Sequence, residues 1–255
     1  MTSFDGETDG GPTAAGESVN RINGTAPKRM LMIFHRRESQ SGAVGQWLRA
    51  CGYSLDVRCP RFGDQLPETL DEHAGAMIFG GPMSANDPDD FVKAEIDWLA
   101  VPLKENKPFL GICLGAQMLA KHLGAEVSTH PDEIIEAGYY PIEVSEAGAA
   151  LVSWPNHVYQ WHREGFSLPS GARQLARGSH FENQAMQYGE KAIGVQFHPE
   201  MTLAMIHRWT TVAGHRLTSP GARPRTEHIA AHHYHGPAMR AWIDRFMRAW
   251  LTHGE

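Results

Sequence analysis

The sequence predicts an α/β fold in which helices flank a mostly parallel sheet. Between residues 30 and 124, short apolar runs of strand length alternate with amphipathic segments of helical length. One run ends in a sharp, glycine-flanked turn that leads directly into a helix. The 255 residues, 42% of them hydrophobic, suffice for one large domain with a substantial core. Strands that alternate with helices favour a parallel sheet with right-handed crossovers.

The N-terminal half supplies the predicted parallel strands and their crossover helices. Residues 1–27 are predicted to be a disordered leader, because few large apolar side chains are available there to offset the ordering entropy. Strands are expected at 30–34, 54–58, 75–79 and 108–112, and helices at 42–51, at 91–104 and from the turn at Cys113 to Gly124. A loop is expected at 60–67 and a short helical turn at 68–73.

The C-terminal half changes character after Gly124. Short runs with little helical periodicity predict strands, part of them antiparallel, at 126–128, 139–144, 157–161, 173–176, 184–188 and 192–197. Helical periodicity returns at 200–217, and a loop containing Pro and Gly follows at 218–226. Beyond it we expect a short helix and then an amphipathic helix with an apolar side formed by Met239, Trp242, Ile243, Phe246, Met247 and Trp250.

These elements define one domain over residues 28–255, with a C-terminal helical extension from about residue 218. The predicted fold class is α/β: an open, flavodoxin-like, mostly parallel sheet flanked by helices, with an additional small antiparallel strand region and a helical C-terminus.

The composition disfavours several kinds of partner and location. With a formal net charge of −6, we expect neither nucleic acid nor an anionic membrane as a partner. No apolar run approaches the roughly 20 residues that span a bilayer, and no secretory signal is expected at the N-terminus. The three cysteines, Cys51, Cys59 and Cys113, fit a reducing cytosol better than a disulfide framework. We therefore expect a cytoplasmic location, with Cys51 and Cys59 as small core-filling residues.

The segment with the clearest chemistry is Pro108-Phe109-Leu110-Gly111-Ile112-Cys113-Leu114-Gly115-Ala116-Gln117. It predicts a buried strand, a sharp turn with Cys113 at its apex, and a helix. The pattern Gly-x-Cys-x-Gly has the logic of a nucleophile elbow, in which small neighbours let substrate approach a residue held on a strained turn. The partial positive charge of a helix N-terminus favours a thiolate. The first unpaired N–H groups of that helix, beginning at Leu114, can donate to an oxyanion.

A cysteine nucleophile needs a base, and the base needs an orienting group. The segment Gly194-Val195-Gln196-Phe197-His198-Pro199-Glu200 offers both. Residues two apart in an extended segment point to the same face, so His198 and Glu200 can stand together at a strand end. One ring nitrogen of His198 would take the Cys113 proton while the other donates to the Glu200 carboxylate.

Three motifs together resemble those of the class I, triad-type glutamine amidotransferases. They are Phe79-Gly80-Gly81-Pro82, the segment 108–117 and the segment 194–200. Their order and spacing match over roughly residues 30–215. Within the family, the chain looks closest to the amidotransferase domain of GMP synthetase and to stand-alone relatives of that domain, which include γ-glutamyl peptidases.

The resemblance implies a role for each matching residue. Cys113 attacks the side-chain amide carbon of glutamine, with His198 and Glu200 completing the triad, and the reaction releases ammonia and then glutamate through a γ-glutamyl thioester. The backbone N–H groups of Gly81 and Leu114 form the oxyanion hole. Contacts near the substrate are implied for Gln117, Trp161, His162 and Asn183. The half-reaction needs no metal and no organic cofactor.

The resemblance to GMP synthetase is confined to its amidotransferase domain. The sequence contains neither a Ser-Gly-Gly-Val-Asp-Ser type phosphate loop nor a Gly-x-x-x-x-Gly-Lys-Ser/Thr motif. Any acceptor of the ammonia is therefore expected on a separate synthetase or other acceptor protein. The oligomeric state is left open, with a homodimer as one option.

Four functions stay open at this point. The first is a glutaminase module acting on L-glutamine, and the second is a γ-glutamyl peptidase or hydrolase that cleaves γ-glutamyl compounds through the same acyl-enzyme. The third is a binding or regulatory module without turnover, against which the intact Cys, His and Glu argue. The fourth is a cysteine peptidase or chaperone on the same fold, which the Phe-His-Pro-Glu segment disfavours.

A histidine cluster precedes the expected last helix, and it comprises His228, His232, His233 and His235. The i, i+4 spacing of His228 and His232 can bind a metal from one helical face. Histidine is common throughout the chain, however, with 15 residues. We therefore expect a solvated helix–loop junction here rather than a metal site.

Overall fold

A computed structural model describes residues 28–252 of the chain. The expected leader at 1–27 and the last three residues lie outside the described residues. The strands are β1 (Arg29–Ile33), β2 (Ser54–Arg58), β3 (Gly75–Ile78), β4 (Phe109–Ile112), β5 (Val127–Thr129), β6 (Glu136–Pro141), β7 (Glu143–Val144), β8 (His157–His162), β9 (Glu164–Phe166), β10 (Ala172–Arg177), β11 (Asn183–Tyr188) and β12 (Ala192–Val195).

Eight of these strands form one sheet in the order β2-β1-β3-β4-β12-β11-β10-β7. The first five are parallel to one another, and β11, β10 and β7 continue the sheet in antiparallel fashion. The parallel part has the 2-1-3-4-5 order of doubly wound α/β folds. Two small antiparallel sheets, β5-β9 and β6-β8, lie outside it. The predicted fold class is confirmed.

Helices cover both faces of the sheet. They are α1 (Gly42–Ala50), α2 (Asp90–Trp98), α3 (Ala100–Lys104), α4 (Leu114–His122), α5 (Glu146–Leu151), α6 (Leu203–Val212) and α7 (Arg225–Thr252), with short 3-10 turns at Pro60–Phe62 and Gly214–Thr218. Met30 and Met32 of β1 belong to the core under α1, α6 and α7, whereas Leu31 and Ile33 belong to the core under α2 and α4. Successive strand residues point to opposite faces, so each buried strand feeds both cores.

The continuous helix expected at 91–104 is wrong, because the chain breaks between α2 and α3 at Leu99. Pro102 explains the break, since its ring would clash with the carbonyl of Trp98 four residues earlier and it has no N–H to donate. The helical turn expected at 68–73 is a single hydrogen-bonded turn, in which the His73 N–H donates to the Leu70 carbonyl at 2.9 Å.

The C-terminal extension is one helix rather than the two that were expected. α7 runs for 28 residues and passes through Pro237. The expected solvated junction is also wrong, because His228 and His232 are buried. Their Nδ1 atoms lie 2.9 Å and 2.8 Å from the hydroxyls of Tyr159 and Tyr139. These tyrosines of β8 and β6 therefore tie the extension to the smaller sheet.

Two cysteines do not fill the core as expected. Cys51 is exposed and Cys59 is half-buried. Cys51 follows the last residue of α1, where the chain turns back toward β2, so its side chain lies beyond the buried face of that helix.

Candidate active site

Four loops meet at the carboxyl edge of the parallel strands. They follow β1, β3, β4 and β12, and they carry Phe34, Gly80, Cys113 and His198. In doubly wound sheets, ligands bind outside the carboxyl ends of the strands, where the strand order reverses. That position lies between β1 and β3 in this sheet. The fold therefore places the elbow cysteine and the histidine beside an expected ligand crevice.

Cys113 occupies a strained turn between β4 and α4. Its φ is 52° and its ψ is −104°, in a region that residues with a side chain rarely adopt. Its N–H donates to the Val195 carbonyl at 2.8 Å. The two glycines of the motif are needed for close packing, because a Cβ on Gly115 would lie 2.1 Å from the Ile78 carbonyl oxygen and one on Gly111 would meet the Gly115 backbone at 2.5 Å. The sequence thus folds into the elbow that it predicts.

His198 and Glu200 form a buried pair beside the elbow. His198 Nδ1 lies 2.8 Å from Glu200 Oε1, and the His198 N–H donates to the Tyr159 carbonyl at 2.8 Å. The edge of the His198 ring meets Trp209 with 5.0 Å between ring centroids. Because Glu200 engages Nδ1, Nε2 is the ring nitrogen left for Cys113. Nε2 has no partner at hydrogen-bond distance within residues 28–252.

The electrostatics of this pair favour a charged imidazole. Burial lowers the pKa of His198, but the negative charges of Glu200 and Cys113 and its interactions with both side chains outweigh that effect and raise it to about 10. A Cβ placed on Gly80 would lie 2.7 Å from Cε1 of His198 and 3.5 Å from Cβ of Cys113. Both side chains therefore border the small gap that Gly80 leaves open.

A cavity of about 510 Å³ opens over Cys113, His198 and Glu200. Trp161 and Trp209 line it together with the loop 79–82. Its lining also includes three arginines and a histidine, Arg36, Arg208, Arg216 and His215.

The arginines give the cavity a positive rim. Arg36 lies 3.6 Å from Glu38, whereas Arg208 and Arg216 have no carboxylate partner among residues 28–252. Burial lowers the pKa of Arg216, the positive charges of Arg163 and Arg36 lower it further, and the charge of Cys113 opposes them. Arg216 is therefore held near other cations and within electrostatic reach of the nucleophile.

The structure separates the residues that were predicted to lie near substrate. Trp161 lines the cavity with Cys113, whereas Gln117, His162 and Asn183 are buried outside its lining. Gln117 Nε2 donates to the Glu164 carbonyl at 2.7 Å, and His162 Nδ1 lies 2.9 Å from the same oxygen. Gly81 lines the cavity, and the N–H of Leu114 begins α4 directly after Cys113. The binding roles stay predictions.

The buried polar residues form a network behind the cavity. His162 Nε2 lies 3.0 Å from Glu136 Oε2, which also accepts a hydrogen bond from Gln184 at 2.9 Å. Asn183 donates to the Phe166 carbonyl at 3.0 Å and accepts from Gln174 at 2.7 Å. These contacts hold β6, β8, β9 and β11 together beneath the site.

Sequence reasoning missed two features of this region. The cationic rim comes from Arg208 and Arg216, whose roles depend on how α6 and the following 3-10 turn fold over the cavity. A buried ion pair, His35 with Glu95, lies behind the loop 79–82. Helical spacing offered a signal for it, because Glu95 lies three residues after Val92 and three before Trp98 on the buried side of α2.

Within residues 28–252, no group of three or more His, Cys, Asp or Glu side chains is placed to hold a metal ion. None of the helices in this described part combines the length and the apolar character that crossing a membrane needs.

Comparison with known families settles the relationship. The family described as "Glutamine amidotransferase class-I" matches residues 39–207, well over half of the chain. The chain belongs to this family. Membership supports a role in hydrolysing the amide of glutamine.

Individual relatives agree with this placement. The glutamine amidotransferase-like protein YfeJ of Salmonella typhimurium is 30% identical over 188 residues, which are 70% of this chain and 78% of that protein. A glutamine-hydrolyzing GMP synthase of Aeropyrum pernix is 36% identical over 161 residues, which are 62% of this chain but only 30% of that protein. The crystal structure of a glutamine amidotransferase from Thermotoga maritima superposes with a TM-score of 0.81 at 29% identity, over 89% of this chain and 100% of that one.

Proposed function

We propose that this class I glutamine amidotransferase hydrolyses the side-chain amide of glutamine through a Cys113-His198-Glu200 triad. The observation that carries the proposal is the placement of Cys113 on a strained elbow, beside a buried His198–Glu200 pair and in the same cavity. Nucleophile, base and orienting carboxylate are the three parts that such an acyl transfer requires.

The first half of the reaction forms an acyl-enzyme. Cys113 Sγ bonds to the amide carbon, and the electron pair of the C=O bond moves onto oxygen. The N–H groups of Leu114 and Gly81 donate to that oxyanion, and one such donor typically contributes about 10²–10³ in rate. The oxyanion collapses, the C–N bond breaks, and His198 gives its proton to the leaving nitrogen, so ammonia departs.

The second half releases glutamate. A water molecule attacks the thioester carbon while His198 takes its proton. The C–S bond then breaks, glutamate leaves, and the thiolate of Cys113 is restored opposite the protonated His198. Glu200 holds the ring orientation through Nδ1 in both halves.

The ammonia acceptor belongs to another polypeptide in this proposal. The matched segment makes up only 30% of the Aeropyrum pernix GMP synthase, so most of that relative has no counterpart in the match. A separate synthetase-type protein would then receive the ammonia, and the open cavity mouth is the place where it leaves.

The test is release of glutamate from L-glutamine by the purified chain. Wild type should release glutamate and ammonia in equal amounts, and Cys113→Ala should lose this activity. Cys51→Ala is the matched control, since that thiol is exposed and distant in sequence from the site. Release by Cys113→Ala at the wild-type rate would refute the proposed function.

A second substrate class is favoured by the cavity itself. A cavity of about 510 Å³ lies within the range that larger organic ligands occupy, whereas glutamine is small. Its rim carries Arg208 and Arg216 without carboxylate partners in the described part of the chain. γ-Glutamyl amides with an acidic leaving amine fit both properties and react through the same acyl-enzyme.

Comparing γ-glutamyl-glutamate with γ-glutamyl-lysine and glutamine separates the two substrate classes. If the rim reads the leaving group, γ-glutamyl-glutamate has the highest kcat/KM, and the double variant Arg208→Gln, Arg216→Gln raises its KM about 10-fold. Arg177→Gln, on an exposed pair with Glu143, is the control. Higher kcat/KM for glutamine than for both peptides would leave glutamine as the substrate.

A further inference from the structure

A buried ionisable pair lies behind the loop that carries Gly80 and Gly81. His35 follows β1 and Glu95 lies in α2, and both side chains are 0% exposed. His35 Nε2 is 2.8 Å from Glu95 Oε2, and the other carboxylate oxygen of Glu95 has no partner within residues 28–252. Burying such a pair is costly. No other contact of Glu95 in the described chain accounts for it, so the pair calls for a function.

The second nitrogen of His35 fixes a backbone carbonyl. Nδ1 lies 3.2 Å from the Gly80 oxygen. A carbonyl oxygen only accepts hydrogen bonds, so Nδ1 must carry a proton. This holds wherever the shared proton resides. A charged His35 donates from both nitrogens, and a neutral His35 accepts at Nε2 from a protonated Glu95 and donates from Nδ1.

The carbonyl of Gly80 and the N–H of Gly81 belong to one peptide unit. A trans peptide is planar, and its C=O and N–H point in opposite directions. Holding the oxygen toward His35 therefore turns the Gly81 N–H away from His35. The ring also packs on this unit, since a Cβ on Gly81 would lie 2.9 Å from His35 Cγ. Gly80 and Gly81 line the cavity with Cys113, which is the opposite side.

We propose that His35 and Glu95 are a positioning pair that fixes the Gly80–Gly81 peptide so that the Gly81 N–H faces the oxyanion. The pair touches no substrate and acts through the peptide. This inference rests on the proposed function for its catalytic consequence, although the orientation of the peptide can be observed without turnover.

Glu95 has a specific task in this arrangement. A neutral histidine can carry its proton on either nitrogen. A proton on Nε2 alone would turn the lone pair of Nδ1 toward the Gly80 carbonyl, and the two acceptors would repel. The Glu95 oxygen at 2.8 Å from Nε2 excludes that state.

Matched variants separate the donor from the packing. Asparagine can place an amide N–H near the position of Nδ1, so His35→Asn keeps a donor to Gly80, whereas His35→Leu fills similar space without one. Glu95→Gln can donate to Nε2 and so keep the Nδ1 proton, whereas Glu95→Leu cannot. The predicted order of activity is Asn above Leu at 35 and Gln above Leu at 95.

The kinetic readouts isolate the oxyanion step. His35→Leu should lower kcat for glutamine about 100-fold with KM within about 3-fold, as expected for a misplaced oxyanion donor. It should also weaken binding of glutamate γ-semialdehyde, whose adduct with Cys113 carries an oxyanion. Alkylation of Cys113 by iodoacetamide, which forms no oxyanion, should stay within about 3-fold of wild type.

The outcomes distinguish this inference from the proposed function. Equal losses in kcat and in alkylation, or equal effects of Leu and Asn at position 35, would overturn the positioning role. If wild type hydrolyses neither glutamine nor γ-glutamyl peptides, the proposed function fails, and crystal structures of the two His35 variants decide the inference. The Gly80 oxygen should keep its direction in His35→Asn and lose it in His35→Leu. An unchanged peptide in His35→Leu would overturn it.

Discussion

The charges of three side chains govern the candidate site at the scale of single residues. Burial alone would lower the pKa of His198, yet the charges of Glu200 and Cys113 raise it to about 10. His198 is therefore protonated at neutral pH when Cys113 carries a negative charge. The triad then rests as an imidazolium beside a thiolate, which is the reactive form of a cysteine nucleophile.

Replacing the thiol by a hydroxyl should change this balance. Cys113→Ser removes a negative charge that raises the pKa of His198, so that pKa should fall by at least about one unit. NMR titration of the imidazole nitrogens measures it, with Cys51→Ser as the control. An unchanged His198 pKa in Cys113→Ser would show that Cys113 does not couple to the ring.

The same coupling predicts a pH dependence of stability. Folded His198 holds its proton more tightly than the unfolded residue, whose pKa is about 6.5. Its contribution to the free energy of unfolding is complete below about pH 6.5 and is lost as pH rises toward about 10. Urea unfolding of wild type and Cys113→Ser between pH 6 and pH 10 should show a smaller loss for the variant. Equal losses would contradict the assignment.

At the scale of elements, the elbow depends on how closely α4 approaches the strands. The hypothetical Cβ on Gly115 lies 2.1 Å from a backbone oxygen of β3, which cannot move without displacing the sheet. Helix packing, strand order and the strained Cys113 turn are thus one structural unit.

Gly115→Ala should therefore destabilise the fold and reduce activity together. Overpacking of this kind typically costs about 1–3 kcal/mol in the free energy of unfolding. Gly214→Ala is the matched control, because nothing lies within 4 Å of its added Cβ. Chemical denaturation compares the two variants, and equal stability of both would refute the close-packing account of the motif.

Helix α7 is held to the smaller sheet by buried tyrosine–histidine hydrogen bonds. His228 Nε2 lies 2.9 Å from the Arg223 carbonyl, so it is the donor, and Nδ1 accepts from the Tyr159 hydroxyl. Burial lowers the pKa of His228 and of His232. Folded protein therefore binds fewer protons than unfolded protein as pH falls below about 6.5, and the contact weakens in acid.

Tyr159→Phe should loosen this contact. It leaves Nδ1 of His228 buried without a donor, which typically costs about 1–3 kcal/mol. Hydrogen exchange of α7 amides should accelerate in the variant, whereas Tyr234→Phe, whose ring is 81% exposed, should match wild type. Identical exchange in Tyr159→Phe and wild type would rule out this hydrogen bond as an anchor.

At the scale of the whole molecule, the parallel half was predictable because each strand is a fully buried apolar run. The expected strand at 54–58 matches β2 residue for residue, and the elbow follows from its glycines. The run 139–144 was less informative, because apolar content does not show that β6 and β7 join different sheets. Pairing partners distant in sequence decide such cases.

The candidate site was predictable in its chemistry but not in its surroundings. Cys113, His198 and Glu200 follow from residue types at strand ends. Whether Gln117 faces a ligand or a neighbouring backbone depends on contacts with Glu164, which lies far along the chain. The cationic rim and the His35–Glu95 pair likewise need elements that only the tertiary fold brings together.

The most direct measurement of the central claim is capture of the acyl-enzyme. The full chain is mixed with glutamine, quenched in acid, digested and analysed by mass spectrometry. The account predicts a γ-glutamyl thioester on the peptide that contains Cys113, removed by hydroxylamine and absent from Cys113→Ala. Glutamate release without an adduct at Cys113, or release that persists in Cys113→Ala, would contradict it.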